Sequence, residues 1–329
     1  MKRIVIFFLL TVVSTTTAQV ARKRTVKLMG SRFDITIVAK DEAAAEAYID
    51  TAIAEISRIE NLISDWIPTT QLSEVNKNAG IQPVKVDAEL FDLTQRAISF
   101  SKLTDGAFDI SYASMDKIWK FDGSMTEMPS PEAIKKSVEK VGYQNIILNK
   151  EDQTIFLKLP GMKLGFGSIG KGYAADKTKQ LLMQKGVKAG IVNASGDMNS
   201  WGRQPNSKKW KVGITNPMNP EKTFAAFSLE DNAVVTSGTY EKFVVLDGKK
   251  YAHIIDTRTG YPARGIASVT VFAPSAELAN GLSTAIIVMG QEAGMNLIAQ
   301  IPNVSCVIVT DEGKIFKSKK IDLKKTKID

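Results

Sequence analysis

The run Gly165-Phe166-Gly167-Ser168-Ile169-Gly170-Lys171-Gly172-Tyr173-Ala174-Ala175-Asp176 turns a strand signal into a helix signal through closely spaced glycines. Two familiar folds place such a turn between a strand and a helix, and neither fits. No Ser or Thr follows Lys171, and the glycine spacing is not that of a dinucleotide-binding βαβ unit. The residues still suit an anion: glycines let backbone N–H groups come close, the helix start is electropositive, and Lys171 adds a mobile charge. A plain tight turn accounts for them equally well.

Outward from this turn the chain reads as hairpins interleaved with a few long helices. Residues 25–39 alternate and read as strands around Met29-Gly30-Ser31. Asp41 can cap a helix to about Ile63, whose Ile49, Ile53, Ile56, Ile59 and Ile63 keep helical spacing. Further helices are expected over 90–103, from Ser130-Pro131 toward Gly142, over 171–185, from Ser275 to about Met289, and from there to near Pro302. Strands are expected at 146–148, 154–159, 190–192, 210–214, 223–229, 233–236, 243–246, 251–255, 267–272, 305–310 and 314–318. Residues 122–130 read as a surface loop. Together these predict an α+β fold of antiparallel sheets with a few long helices, in one unit, not a parallel sheet wrapped by helices.

Composition sets outer limits. The chain is 44% hydrophobic and 24% charged, as expected of a globular protein. Lys2 and Arg3, the apolar run Ile4 to Val13, and Thr16-Thr17-Ala18 have the form of a secretory signal over residues 1–18, with a run too short to span a bilayer. The domain then covers 19–329, outside the cytoplasm. Cys306 is the only cysteine, so no internal disulfide forms and no cysteine follows the signal to carry a lipid. The formal charge is +8, with Lys317, Lys319, Lys320, Lys324, Lys325 and Lys327 crowding the tail. A solvated terminus explains that cluster, with weak membrane-surface attraction as the other reading. No nucleic-acid motif is present.

One histidine, His253, serves the whole chain, which excludes a His-rich metal site. Imidazole titrates near neutral pH, so His253 is either an acid/base or a structural side chain. Its neighbours, Thr236-Ser237-Gly238-Thr239-Tyr240 and the run from Tyr251 to Pro262, are polar-ligand material rather than core. Val192-Asn193-Ala194-Ser195-Gly196-Asp197-Met198 reads as a strand ending in an Asx-type turn. In Gly106-Ala107-Phe108-Asp109, Phe108 can line a flat ligand's pocket and Asp109 can accept a hydrogen bond from it, or Phe108 is core beside a turn. Asn280 and Thr284 lie four apart on one helix face with Glu277 on the same side. Three oxygen-bearing side chains there suit a hard cation, or solvent.

Taken in order, these segments resemble the exported FAD:protein FMN transferase family, the ApbE-like flavin transferases. The matching motifs are Met29-Gly30-Ser31, Ser64-Asp65-Trp66, Ser73-Glu74-Val75-Asn76, Gly106-Ala107-Phe108-Asp109, the Gly-Lys-Gly turn, the Asn193 to Asp197 turn, Thr236 to Tyr240, His253 to Pro262, and the last capped helix. The resemblance spans nearly the whole mature chain and implies a T-fold-like α+β architecture. It implies transfer of FMN from FAD to a Thr or Ser hydroxyl of a partner flavoprotein, such as a membrane redox-pump subunit, with a divalent metal, usually Mg²⁺, and release of AMP. It assigns FAD contacts to Met29, Trp66, Ala107, Phe108, Asp109, Gly165, Lys171 and Ile254, the metal to Ser168 (through its backbone oxygen), Asn280 and Thr284, and the catalytic base to His253. Asp256 is expected to orient that base.

Two departures stand out. The family turn opens Asp-Leu-Gly-Gly where this chain has Gly165-Phe166-Gly167-Ser168, and Asn280 replaces an Asp. An amide brings no charge to Mg²⁺, so Glu277, one turn earlier, is expected to supply it. The rival readings are an FAD pyrophosphatase, with water as acceptor, and an exported FAD-binding protein without catalysis.

Overall fold

The alternating stretch near the start folds back on itself as β1 (Val20–Leu28) and β2 (Ser31–Ala39). Met29 takes φ 48° in the connection, the left-handed geometry that matches strand twist in a two-residue hairpin. The structure, a computed structural model, describes residues 19–319 and 321. The expected signal at 1–18 and Lys320, Lys324, Lys325 and Lys327 lie outside the described residues.

Next come α1 (Glu42–Ile63), α2 (Gln71–Lys77), β3 (Val84–Lys85), α3 (Ala88–Leu103), α4 (Pro131–Ser137), β4 (Ile146–Asn149), β5 (Thr154–Leu157) and α5 (Gly170–Gln184). The second half holds β6 (Ala189–Ala194), β7 (Asp197–Trp201), β8 (Trp210–Asn216), β9 (Asn219–Leu229), β10 (Ala233–Gly238), β11 (Phe243–Leu246), β12 (Lys249–Ala252) and β13 (Ile266–Ala273). It ends with α6 (Ala276–Met289), α7 (Gln291–Gln300), β14 (Ser305–Thr310) and β15 (Ile315–Lys317).

Eight strands form one sheet in the order β1-β2-β6-β7-β10-β13-β14-β15, with every neighbouring pair antiparallel. Strand side chains alternate between faces, and this sheet covers both. Phe33, Ile35, Ile37, Val235, Val269 and Val271 enter the main core with Ile49, Ile56 and Ile59 of α1, Ala174 and Leu182 of α5, and Leu282 and Ile286 of α6. On the opposite face Val234, Phe272 and Val307 pack under the β8–β9 hairpin through Trp210, Val212, Ile214 and Leu229.

The helix starts follow their sequence signals. Asp41 accepts from Ala44 N at 2.7 Å, and Ser130 and Ser275 cap α4 and α6. α4 ends at Ser137, short of the expected Gly142. Strand β7 and the seven-residue α2 carry no periodicity long enough to read from sequence. The strand expected over 251–255 stops at Ala252, which leaves His253 in the turn beyond it. No helix among the described residues is long and apolar enough to cross a membrane.

Candidate active site

Two hollows meet at the turn before α5. One, of about 350 Å³, is lined by Ala107, Phe108, Asp109 and Tyr112 on one wall, and by His253 and Ile254 on another. Gly167, Ser168, Lys171, Asp197, Asn280 and Thr284 complete it. The other, of about 450 Å³, is lined by Met29, Glu60, Trp66 and Phe166. Gly167 and Lys171 belong to both. Of the residues assigned to FAD, the metal and the catalytic base, all but Gly165 therefore line one hollow or the other, whereas Glu277 and Asp256 line neither. Gly165 is buried behind Tyr112, and its N–H donates to Ile110 O at 2.9 Å.

Packing explains the shape of the turn. Tyr112 is half-buried with its hydroxyl close against Gly167, and that burial pushes the phenol up to about 12. A Cβ on Gly167 would stand 2.5 Å from that oxygen, so no other residue fits without moving the ring. α5 starts at Gly170 with no side-chain cap. Gly170 N–H donates to Phe166 O at 2.6 Å and Tyr173 N–H to Ile169 O at 3.0 Å, which leaves the Lys171 and Gly172 N–H groups for an outside acceptor, and the helix field favours a negative one. Asp176, one turn into α5, accepts from Ala276 N at 2.8 Å and Glu277 N at 2.9 Å, which fixes the start of α6 against α5.

His253 is oriented by the backbone. Its Nδ1 lies 3.1 Å from Lys242 O, which also accepts the His253 N–H at 3.0 Å. A carbonyl can only accept, so the proton sits on Nδ1 and Nε2 keeps its lone pair. Burial holds the imidazole below its ordinary 6.5, which keeps it neutral near neutral pH. Phe121 meets the ring edge-on at 6.5 Å between centroids. Asp256 does not perform the orienting role expected of it. Its carboxylate takes Arg258 Nε at 2.8 Å, Arg258 Nη2 at 2.9 Å and Arg258 N at 3.0 Å, closing the 256–260 turn instead.

Asp109 lines the same hollow and is held from within the protein. Its Oδ1 accepts from Ser111 N and Oγ at 2.8 and 2.7 Å, and its Oδ2 from Tyr143 N at 2.8 Å. The carboxylate caps the following 3₁₀ turn, and burial still pushes it up. Phe108 is 1% exposed and packs on Phe100, so it is a core residue that shows the cleft one edge. Trp66 is the opposite case: 78% exposed, with the Lys117 ammonium 4.7 Å from its ring centroid. It offers an open aromatic face.

The floor of the first hollow tests the cation assignment. Asn280 is 5% exposed, and its Oδ1 has no hydrogen-bond donor. Thr284 Oγ1 has only a 3.4 Å contact with Ser237 Oγ. A buried amide oxygen without a donor is costly unless something positive meets it, so these residues fit a hard cation. Glu277 does not supply its charge. The carboxylate makes a double hydrogen bond to Arg96, 2.6 and 3.1 Å, on the outer side of α6, and lines neither hollow. It sits in the first turn, which leans on α3 instead of the cleft.

Sequence reasoning gave no role to Asp197, Glu241 or the Lys242 carbonyl. Asp197 is 2% exposed, and Lys171 Nζ lies 3.0 Å from its Oδ2. That ammonium pairs with Oδ2 as a salt bridge, and among the described residues no further donor meets this oxygen. Burial raises this carboxyl and Lys171 pulls it back. Its sequence signal was the Gly196-Asp197 pair at a strand end. The Lys242 carbonyl had none, because any residue carries one.

Comparison with known proteins places this geometry. The model of the ApbE family matches residues 29–308. An FAD:protein FMN transferase of Klebsiella pneumoniae (strain 342) is 29% identical over 93% of this chain and 89% of its own length. The FAD:protein FMN transferase of Treponema pallidum (strain Nichols) is 30% identical over 88% of this chain and 85% of its own. Among solved structures, the ApbE protein from Thermotoga maritima superposes with a TM-score of 0.83 at 29% identity, covering 91% of this chain and 97% of that one. The flavin transferase ApbE from Vibrio cholerae gives 0.80 at 25%, covering 92% and 98%.

Proposed function

This chain belongs to the ApbE family, and from that premise we propose that it transfers FMN from FAD to a Thr or Ser hydroxyl of an acceptor flavoprotein, releasing AMP. The carrying observation is the pair of hollows joined at Lys171, with an oriented neutral imidazole on one wall. A dinucleotide has two flat ends and a charged bridge. The bridge belongs at Lys171 and the uncapped start of α5, where positive charge and N–H groups offset the diphosphate. Trp66 and Met29 serve one flat end, and Ala107, Phe108 and Ile254 border the other hollow.

The reaction is displacement at phosphorus. The acceptor hydroxyl gives its proton to His253 Nε2 as its oxygen bonds to the FMN phosphorus. The bond from that phosphorus to the bridging oxygen breaks, and AMP leaves with that oxygen. Ser168 O, Asn280 Oδ1 and Thr284 Oγ1 are the groups that would hold Mg²⁺, which when bound offsets charge on the diphosphate. The signal-like start at 1–18 supports action outside the cytoplasm, with a redox-pump subunit of the membrane as the acceptor. The basic tail would add a weak surface contact there.

The test mixes purified protein, FAD, Mg²⁺ and a candidate acceptor, and reads in-gel flavin fluorescence with a matching mass increase on the acceptor. Free FMN with AMP, and no labelled protein, would make it a pyrophosphatase. FAD bound without AMP formation would make it a binding protein.

A further inference from the structure

The cation floor described above is short of negative charge. Asn280 and Thr284 are neutral, and so is a Ser168 carbonyl, whereas hard divalent cations prefer at least one carboxylate. Three carboxylates line the hollow: Asp109, Asp197 and Glu241. Asp109 is engaged by Ser111 and Tyr143. Glu241 is exposed at the rim. Asp197 is the most deeply buried of the three, and its Oδ2 meets no donor but the Lys171 ammonium.

The sheet register puts it on the correct side. Asp197 pairs with Val235 across β7 and β10, and directly paired residues share a face. Val235 and Ser237 lie two apart on β10 and therefore also share that face. Ser237 Oγ meets Ser283 Oγ at 2.8 Å and Thr284 Oγ1 at 3.4 Å on α6. The Asp197 carboxylate thus rises into the layer that holds Thr284 and Asn280. Two buried oxygens, Asn280 Oδ1 without a donor on α6 and Asp197 Oδ2 held only by Lys171 on β7, open into one hollow.

We propose that Asp197 carries the negative charge of the divalent-cation site beside Asn280 and Thr284, and that Lys171 balances it until the cation enters. Lys171 then turns to the diphosphate, which it can reach because its side chain borders both hollows. The exchange keeps a buried carboxylate paired at every stage. That matters, since a buried charge stripped of its partner is strongly destabilising. The inference rests on the reading that this site takes a divalent cation.

The experiment uses Mn²⁺, which shares Mg²⁺'s preference for oxygen ligands. Binding to the full mature protein is followed by the loss of the free-Mn²⁺ resonance and by melting temperature, without FAD. Asp197→Asn is expected to weaken Mn²⁺ binding more than tenfold, with Glu277→Gln matching wild type. Lys171→Met should melt lower than wild type without metal and gain more from Mn²⁺ than wild type gains. If Asp197→Asn does not fold, the Lys171→Met comparison decides alone. Wild-type binding that neither variant alters overturns the role of Asp197 and leaves the proposed function standing. A wild-type protein that takes up no Mn²⁺, even with FAD, removes the metal from the proposed function and this inference with it.

Discussion

Substituting Gly172 by alanine tests how the two helices at the cleft are locked together. Gly172 is in the first turn of α5, where the start of α6 crosses it. A Cβ there would stand 2.6 Å from the Ala276 carbonyl carbon and 2.9 Å from Glu277 N, all backbone atoms that cannot rotate away. Comfortable carbon contacts are about 3.5–4.0 Å, so relief requires α6 to retreat by roughly 1 Å. The same retreat would stretch the Asp176 bonds to Ala276 N and Glu277 N, now 2.8 and 2.9 Å, beyond hydrogen-bonding range. Losing both would cost about 3–6 kcal/mol, because bonds to a charged group are worth about 1.5–3 each. Absorbing the clash in place costs about 1–3 kcal/mol. The second route is cheaper and dominates. Alanine's better helix propensity returns at most about 1 kcal/mol. Gly172→Ala should therefore be destabilised by up to about 3 kcal/mol, a melting-temperature drop of at most roughly 5 °C for a domain of this size. Denaturant titration and calorimetry read the stability. Because this route leaves α6 close to its place, the positions of Asn280 and Thr284 on α6 should change little. A variant at least as stable as wild type would show that the helices are not locked at this point.

Three further outcomes are expected. His253→Ala should retain FAD binding but lose about 10²–10⁴ in rate. In wild type the rate should rise with pH through a value below 6.5, since burial lowers this imidazole and only its neutral form accepts a proton; a pH profile unchanged in the alanine variant would remove His253 from the chemistry. Glu277→Gln should leave Mg²⁺ dependence untouched and cost at most about 1 kcal/mol, as expected for a half-exposed pair with Arg96; a shifted Mg²⁺ requirement would put Glu277 back at the site. Burial raises Asp176 from 3.8 to about 6 despite its hydrogen bonds, so its contribution to stability is full below pH 3.8 and is lost as pH rises through about 6. That contribution is on the order of 3 kcal/mol. Wild type minus Asp176→Asn stability should decline across this window, and parallel stability curves would contradict it.

The elements most legible in the sequence were those with long periodic patterns or distinct caps. α1 shows its isoleucines at helical spacing behind Asp41, and α6 starts at the Ser275 cap. β7 was hidden because Asp197 to Trp201 carries polar residues on a fully flanked central strand. Strand ends were legible only to within a few residues, and that mattered at His253, which lies past β12 rather than in it. The grouping of cleft residues was legible because ordered motifs keep residue type and sequence together. What sequence could not give was direction. Glu277, Asn280 and Thr284 look alike on a helical wheel, yet Glu277 leans on Arg96 and Asn280 faces the cleft. Asp256 lies close to His253 in the chain, yet Arg258 claims it. Partners distant in sequence settled each case.

The Lys242 carbonyl makes the imidazole a one-sided device. In serine hydrolases a carboxylate behind the ring welcomes the positive charge that builds up there; a peptide oxygen does so only weakly. With its rear nitrogen already committed, the ring has no exit for a second proton except the face through which it arrived. In the proposed reaction, whatever proton it takes from the alcohol would go back into the cleft, to the departing nucleotide or to water that follows it out. Turnover is thereby tied to emptying the hollow, and product that lingers would leave the base loaded.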